Sequence, residues 1–267
     1  MARGREAVPL TPFQHEVLAT LAQNRTDERY LAGGAALHFT PNSLRYSNHL
    51  DFFHDAVERV ATSFAADAAL LRDAGYQLDI EVSQPGFIRA IVARNTDSTR
   101  IDWAHDSAWR FLPLVRDPLG GLLLHPIDLG VNKMLALAGR DEARDFFDAL
   151  HLHRSVLPLG ALCWAAVGKD PGFTPLSLVE LLKRRGRPRG EDVARLHLAG
   201  PYDPVAAKAE WTEALEEAER FVRNRPPDEA GCLYWSAAGD RFVMPAPDEH
   251  VAVHFGTLGG VLPRVQE

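Results

Sequence analysis

The sequence is poor in cysteine and has no long apolar run. Its two cysteines, Cys163 and Cys232, stand far apart without the spacing of a zinc site or a disulfide framework, so both are expected to be free thiols in a reducing compartment. The longest apolar stretch, at residues 157–167, is shorter than the roughly 20 residues that cross a bilayer. The N-terminal residues lack the apolar core of a signal peptide. We therefore expect a cytoplasmic protein with no membrane partner.

An excess of positive charge is also missing. The chain has 29 Lys and Arg against 36 Asp and Glu, a formal net charge of −7. This balance argues against a surface that binds nucleic acid over its whole extent, although it permits a local basic patch. The Walker A, GxGxxG and GxSxG motifs are absent from the sequence, which excludes the common P-loop, dinucleotide-binding and α/β-hydrolase sites.

Hydrophobic periodicity changes near residue 125. Before that point short strands alternate with helices, and three segments after Gly75 alternate apolar and polar residues, which predicts an antiparallel meander. From Pro126, which suits a first helical turn, five helical patterns follow, at residues 126–138, 141–151, 157–167, 175–184 and 204–223. We predict an α+β protein with an α/β lobe at residues 1–125, a helical lobe at 126–225, and a hairpin and irregular tail at 226–267.

The stretch from Leu31 to Asp55 carries the most chemistry. Gly33 and Gly34 follow a short apolar strand, and their backbone N–H groups are free to meet a phosphate. In the next strand His49 and Asp51 are two residues apart, so both side chains project from the same face. Two possible metal ligands beside a Gly-Gly turn predict a site for a nucleotide and a metal ion.

Asp51 lies in an otherwise apolar strand, and Asp102 repeats that pattern on a later strand. A carboxylate in such a place is costly unless it is paired, hydrogen-bonded or bound to a cation. Two strands that each offer one carboxylate suit Mg²⁺, which takes one or two carboxylates together with substrate phosphates. The alternative is that each Asp ends its strand and meets solvent or an arginine.

Lys133 is the main candidate in the helical half. It lies on a helix whose other face is apolar, and it is expected either to meet a triphosphate as a point charge or to be an ordinary solvated lysine. Arg140, Arg144, Asp145 and Asp148 follow at helical spacing, where Arg144 and Asp148 suit an i,i+4 pair that stabilises the helix.

Residues 183–189 form the one dense positive run, Lys-Arg-Arg-Gly-Arg-Pro-Arg. Its Gly-Arg-Pro core matches the centre of the AT-hook, a short peptide that binds the DNA minor groove. A solvated loop between two helices is the simpler interpretation. A third interpretation is a loop that contacts the phosphates of an RNA substrate, since local clusters of Lys and Arg engage phosphates even in an acidic protein.

Two motifs between Tyr30 and Leu150 resemble those of the AbiEii/AbiGii-type nucleotidyltransferases, a branch of the polymerase-β-like nucleotidyltransferase superfamily. The first is Gly33-Gly34-x-x-Leu37 followed by Arg45-x-Ser47-x-x-Leu50-Asp51-Phe52-Phe53. The second is Asp128-Leu129-x-x-Asn132-Lys133-x-x-Ala136-Leu137-x-x-Arg140 with Arg144-Asp145-Phe146-Phe147-Asp148.

The resemblance implies a nucleotidyltransferase-fold mixed sheet with flanking helices, followed by a helical lobe. It implies metal-dependent transfer of a nucleoside monophosphate from an NTP to an acceptor, tRNA or protein. Many members of the family are toxins of toxin–antitoxin or phage-defence systems, so a cognate antitoxin is an implied partner. Such a displacement depends on positioning and charge neutralisation more than on covalent chemistry.

The resemblance also assigns roles to single residues. The nucleotide-binding residues are Gly33, Gly34 and Ser47 around the triphosphate, Arg45 supporting the loop, and Lys133, Arg140 and Asp145. The catalytic residues are Asp51, Asp102, Lys133 and Asp148. Asp145 or Asp148 is expected to orient the acceptor or the nucleotide. Asp51 and Asp102 would hold Mg²⁺ or Mn²⁺, with His49 as the third metal-ligand position.

His49 departs from the family motif, which has an aspartate at that position. Imidazole suits Mg²⁺ poorly and removes one negative charge. The site then works with Mn²⁺ or another metal, or functions with Asp51 and Asp102 alone at weaker activity, or has lost catalysis. The second hypothesis is therefore a catalytically degenerate protein that binds a nucleotide or a partner. The third is a structural α/β protein in which these residues only complete the core.

Overall fold

The computed structural model describes residues 10–38, 45–247 and 249–263, and the chain divides into two units. The first unit runs to Ala108 and adds Leu114–His125 and His197–Gly200, and the second contains Trp109–Pro113, Pro126–Leu196 and Pro201–Glu267.

The strands are β1 (Arg29–Ala32), β2 (His49–His54), β3 (Gln77–Gln84), β4 (Phe87–Arg94), β5 (Asp97–His105), β6 (Trp109–Arg110), β7 (Val115–Asp117), β8 (Gly121–Leu123), β9 (Cys232–Ser236), β10 (Arg241–Val243), β11 (Ala252–Phe255) and β12 (Thr257–Leu258). The helices are α1 (Pro12–Leu21), α2 (Gly33–Leu37), α3 (Val57–Asp73), α4 (Pro126–Arg140), α5 (Ala143–Ser155), α6 (Leu159–Lys169), α7 (Pro175–Arg185), α8 (Gly190–Ala194) and α9 (Pro204–Asn224).

The first unit is built on a mixed seven-stranded sheet with the order β3-β4-β5-β2-β1-β8-β7. The predicted meander is confirmed, because β3, β4 and β5 are successive antiparallel neighbours. Strand β2 runs parallel to β5 and antiparallel to β1, while β1 runs parallel to β8. The predicted mixed sheet with flanking helices is therefore the observed fold of this unit.

Strand β2 shows why the sheet has one apolar and one polar face at its centre. Leu50 and Phe52 are fully buried, as are Ile101 and Trp103 at the paired positions of β5. Helices α1 and α3 pack on these strands, so the buried set forms the core of the unit. His49 and Asp51 project from the opposite face, as the alternation predicted.

Helix starts follow the local sequence. Thr11 caps α1 in a capping box with Gln14, and Pro126 begins α4. Asp203 caps α9, because its carboxylate accepts hydrogen bonds from the backbone N–H groups of Val205 and Ala206. Such caps satisfy the N–H groups that a first helical turn leaves unpaired.

The second unit holds α4–α9, a three-stranded sheet in the order β10-β9-β11 and a two-stranded sheet of β12 and β6. The five predicted helices and the β9–β10 hairpin are confirmed. The prediction of an irregular tail is wrong, because β11 pairs with β9 and β12 pairs with β6. Both strands are short and mostly exposed, so the tail carries no apolar alternation to reveal them. In the described part of the chain, no helix has the length and apolar character to cross a membrane.

Candidate functional site

The Gly33-Gly34 turn lies against two charged side chains. Gly33 has a φ of +61°, and a Cβ added there would lie 2.0 Å from Asp51 Oδ2. A Cβ added to Gly34 would lie 2.7 Å from Nη2 of Arg45. Glycine is thus favoured at position 33 by the positive φ as well as by Asp51, whereas at position 34 a side chain would only have to displace the end of Arg45. The structure brings four of the sequence-predicted site residues together at this turn.

We expect Gly33→Ala to disturb the site more than its backbone strain explains. An alanine at positive φ costs about 1–2 kcal/mol, and here its methyl group must also displace the Asp51 carboxylate. Gly75 is the matched control, since its φ is +82° and a Cβ there would meet nothing within 4 Å. Urea unfolding should show a larger loss for Gly33→Ala than for Gly75→Ala. Equal losses would mean that Asp51 moves aside freely.

The register of the sheet places three charged side chains in a row. Asp51 of β2 is paired with Asp102 of β5, and Asp102 is paired with Arg89 of β4. Paired residues on neighbouring strands project from the same face of a sheet. The two carboxylates that the sequence singled out are therefore neighbours on one face, with an arginine beside the second.

Asp102 is bound by Arg89 through both oxygens. Arg89 Nε lies 2.8 Å from Oδ1 and Nη2 lies 2.7 Å from Oδ2, the bidentate geometry in which guanidinium and carboxylate bind most strongly. These hydrogen bonds raise the pKa of Arg89. Arg100 Nε lies 3.6 Å from Oδ1 of the same carboxylate. Two guanidinium groups thus lie against the Asp102 carboxylate.

Asp51 and His49 form the other half of the site. His49 Nε2 lies 3.3 Å from Asp51 Oδ2, and the two side chains are 13% and 16% exposed. An imidazole nitrogen and a carboxylate oxygen this close fit as two ligands of one divalent cation. Asp102 fits as a further ligand only if Arg89 releases it. Within the described residues no group of three or more His, Cys, Asp or Glu side chains is arranged to hold a metal ion.

Ser47 is buried just before β2. Its hydroxyl donates a hydrogen bond to the carbonyl oxygen of His49, at 2.8 Å. The side-chain amide of Gln14 donates to the Ser47 carbonyl at 3.1 Å and to Oγ1 of Thr99 at 3.2 Å. These bonds fix the entry into β2, so Ser47 shapes the loop that carries His49. Its predicted contact with a triphosphate stays a prediction.

The sequence-predicted residues of the second unit form an ion cluster with one another. Lys133 Nζ lies 3.2 Å from Asp145 Oδ1 and 2.7 Å from Asp148 Oδ2, and both carboxylates are fully buried. Arg140 binds Asp145 through two nitrogens, at 2.6 and 2.8 Å. Burial opposes ionisation of Asp145, but Arg140 and Lys133 lower its pKa below the ordinary value. The cluster thus joins α4 to α5, whereas Arg144 pairs with Glu142 at 2.7 Å.

Sequence reasoning missed Arg89 and Arg100. Both lie on the predicted meander. Arg100 is two residues before Asp102 on the same strand, so strand alternation could have predicted that the two side chains share a face. The sequence could not predict that Arg89 lies opposite Asp102, because that pairing depends on the turn between β4 and β5. A register shifted by one residue would place it on the other face.

Comparisons with known proteins support the fold. No protein-family model matches the chain, and no curated protein does. Among solved structures, the chain is similar to MenT4, a nucleotidyltransferase toxin of Mycobacterium tuberculosis, with 19% identity, a TM-score of 0.50 and coverage of 81% of this chain and 83% of that one. It is also similar to JHP933 of Helicobacter pylori, with 17% identity, a TM-score of 0.49 and coverage of 80% and 95%. Together with the mixed sheet, the likeness to MenT4 shows that the chain has a nucleotidyltransferase fold.

Proposed function

We propose that this protein is a metal-dependent nucleotidyltransferase that moves a nucleoside monophosphate from an NTP to an acceptor. One observation carries the proposal. The Asp51 carboxylate packs against the Gly33 backbone, has His49 at 3.3 Å, and is paired in register with Asp102. A glycine turn that suits a phosphate and side chains that suit a cation thus lie side by side, on a nucleotidyltransferase fold, which supports the proposal.

The chain's own residues supply position and charge in this proposal. Gly33 and Gly34 carry no side chain of their own, which would let a phosphate approach their backbone once a cation screens the adjacent Asp51 carboxylate. Arg45, which is buried against Gly34, holds the turn and adds positive charge. Asp51 and His49 would hold a divalent cation, Mg²⁺ or Mn²⁺, which when bound neutralises phosphate charge. That Lys133 neutralises the phosphates of the nucleotide, as the family resemblance implies, stays a prediction.

The acceptor and the biological role are finer proposals. We propose tRNA or protein as the acceptor class, and toxicity restrained by an antitoxin as the setting. MenT4 is named a nucleotidyltransferase toxin, which supports this setting, as do the two sequence motifs. Because the identity to MenT4 is only 19%, the acceptor has to be identified by experiment.

A transfer assay tests the proposal. Purified protein is incubated with each labelled NTP, with Mg²⁺ or Mn²⁺, and with total tRNA or a cell-protein extract. Label that moves to a discrete RNA or protein band establishes the transferase and identifies its acceptor class. If no label moves with either metal, while the protein still binds NTP, the transferase proposal fails in favour of the binding module discussed below.

We expect Arg89→Gln to bind divalent cations about tenfold more tightly. The substitution removes a positive charge and frees both oxygens of Asp102, and a charge-assisted hydrogen bond is worth roughly 1.5–3 kcal/mol. Mn²⁺ titration followed by calorimetry or electron paramagnetic resonance measures the affinity. Arg94→Gln is the matched control, since Arg94 lies on the same strand and pairs with Glu16 instead. Unchanged Mn²⁺ affinity in Arg89→Gln would show that Arg89 does not compete for the site.

A second candidate function is a nucleotide- or partner-binding module without catalysis. Two observations favour a binding module without catalysis. His49 stands where the family motif has an aspartate, and Arg89 already occupies Asp102. Such a protein would bind NTP without turnover across several divalent metals, which the transfer assay distinguishes directly.

A further inference from the structure

A pocket of about 760 Å³ lies within the second unit, and none of the residues assigned to the transfer chemistry is among the residues that line it. It is lined by residues from α5, from the end of α7 and its following loop, and from the start and middle of α9. The volume is that of a site for a small molecule. Six lining residues carry the argument: Phe146, Gly186, Arg187, Tyr202, Lys208 and Trp211.

Aromatic rings line one side of the pocket. The centroids of Phe146 and Trp211 are 5.2 Å apart in an edge-on arrangement, and both side chains are buried. Tyr202 packs on Phe147 with centroids 4.8 Å apart and is only half-buried. The pocket therefore has an apolar floor and one ring, Tyr202, with open surface for a planar group to stack on.

The indole of Trp211 has an unsatisfied donor. Its Nε1 is buried and has no hydrogen-bond partner among the described residues. A buried donor without an acceptor costs roughly 1–3 kcal/mol. Gly186 lies directly beside it, since a Cβ there would be 2.4 Å from Nε1. Because Nε1 is itself buried, an acceptor of a bound ligand would reach this donor only if the indole or Gly186 moved.

Two cations of the pocket have no counter-ion. Arg187 and Lys208 are exposed, and neither charged group pairs with another residue in the described part of the chain. Lys183, which lines the same pocket, is different because it binds Glu180 at 2.7 Å and Glu219 at 2.5 Å. The free charge of the pocket is therefore positive at Arg187 and Lys208, where an anionic group is favoured.

Glu216 also lines the pocket and is exposed. Its carboxylate can accept hydrogen bonds from a sugar hydroxyl or from an exocyclic amine of a base. A ligand that matches all these features has a planar ring, hydrogen-bond donors and acceptors, and a phosphate. Arg187 also belongs to the basic run at residues 183–189, a motif that the proposed transfer site does not use.

We propose that this pocket binds a phosphorylated nucleoside, with its base on Tyr202 and its phosphate at Arg187 and Lys208. The nucleoside comes either from a free nucleotide or from one unit of a single-stranded RNA, in which case the other arginines of the basic run lie near its neighbouring phosphates. This proposal does not depend on catalysis at Asp51.

Fluorescence anisotropy of the full chain with a labelled eight-nucleotide oligoadenylate RNA tests the proposal. AMP, adenosine and inorganic phosphate serve as competitors. We expect the Arg187→Ala/Lys208→Ala variant to lose at least tenfold in affinity for the RNA, and its salt dependence to fall by about 1.4 in log–log slope, as two lost phosphate contacts predict. Tyr202→Ala should lose about tenfold through stacking.

Arg184→Ala is the matched control. Arg184 is an exposed arginine of the same run, but it does not line the pocket, and its Nε donates to the Glu180 carbonyl. We expect this variant to bind within twofold of the wild type. Thermal unfolding checks that the exposed substitutions leave the fold intact.

The competitors identify the source of the nucleoside. If AMP displaces the RNA and binds the wild type by itself, a free nucleotide suffices. If AMP competes weakly while the RNA binds tightly, the ligand is a strand. Equal losses in Arg184→Ala and in the double variant would overturn the proposal in favour of unspecific attraction to the basic run. Absence of binding by both AMP and RNA would overturn it as well.

Discussion

Asp51→Asn is expected to reduce nucleotidyl transfer by on the order of 10³-fold and to leave the fold intact. The carboxylate would hold the cation that stabilises charge at the transferred phosphate, a contribution of several kcal/mol, and each 1.36 kcal/mol is a factor of ten in rate. Asparagine is chosen because Asp51 packs against Gly33, so its volume must be kept. The transfer assay described above measures the rate.

Asp79→Asn is the control for this experiment. Asp79 is an exposed aspartate on β3 of the same sheet, and its substitution removes the same charge away from the site. We expect the control to transfer at the wild-type rate, and both variants to melt within a few degrees of the wild type. Full activity in Asp51→Asn would contradict the proposed mechanism, whatever the activity of the control.

Lys133→Met is expected to destabilise the protein by roughly 3–5 kcal/mol. Its ammonium bridges Asp145 and Asp148, both fully buried. Its removal takes this cation from both carboxylates, and although Arg140 still binds Asp145, loss of one partner from a buried ion pair is strongly destabilising. For a chain of this size the loss lowers the melting temperature by about 10 °C. Urea unfolding and calorimetry measure the two quantities.

Lys183→Met provides the comparison at the surface. Lys183 also bridges two carboxylates, Glu180 and Glu219, but its side chain is 31% exposed. Exposed ion pairs contribute at most about 1 kcal/mol, so this variant should unfold close to the wild type. A Lys133→Met protein as stable as Lys183→Met would show that the buried cluster does not depend on its lysine. That result would favour a role for Lys133 in neutralising phosphate charge over a role in stabilising the fold.

The sequence alone was sufficient for most local structure. Alternation in β2 predicted that Leu50 and Phe52 face the core and that Asp51 faces the other way, because side chains in a strand alternate strictly. Thr11 and Pro126 marked helix starts through capping and through the fixed φ of proline. The two motifs around Gly33 and Lys133 predicted the nucleotidyltransferase fold, since they carry the fold's spacing along the chain.

Other features depended on contacts that no local pattern carries. The short strands β11 and β12 pair with segments about 20 and about 147 residues away, and their sequences are too short to show periodicity. The pocket of the second unit joins Phe146 to Trp211, whose side chains meet only because α5 and α9 pack together. The basic run alone suggested three interpretations and could not choose among them.

The candidate site shows the same division. The sequence predicted that Gly33, Gly34, His49 and Asp51 would lie close together, because one short stretch of chain carries them all, and the pairing of Ala32 with Asp51 between β1 and β2 brings Asp51 to Gly33. Only the tertiary structure placed Asp102 beside Asp51 and Arg89 on Asp102, because strand register is set by the packing of the whole sheet. That register places one of the two carboxylates beside a histidine and the other on an arginine, while their binding of a metal ion stays a prediction.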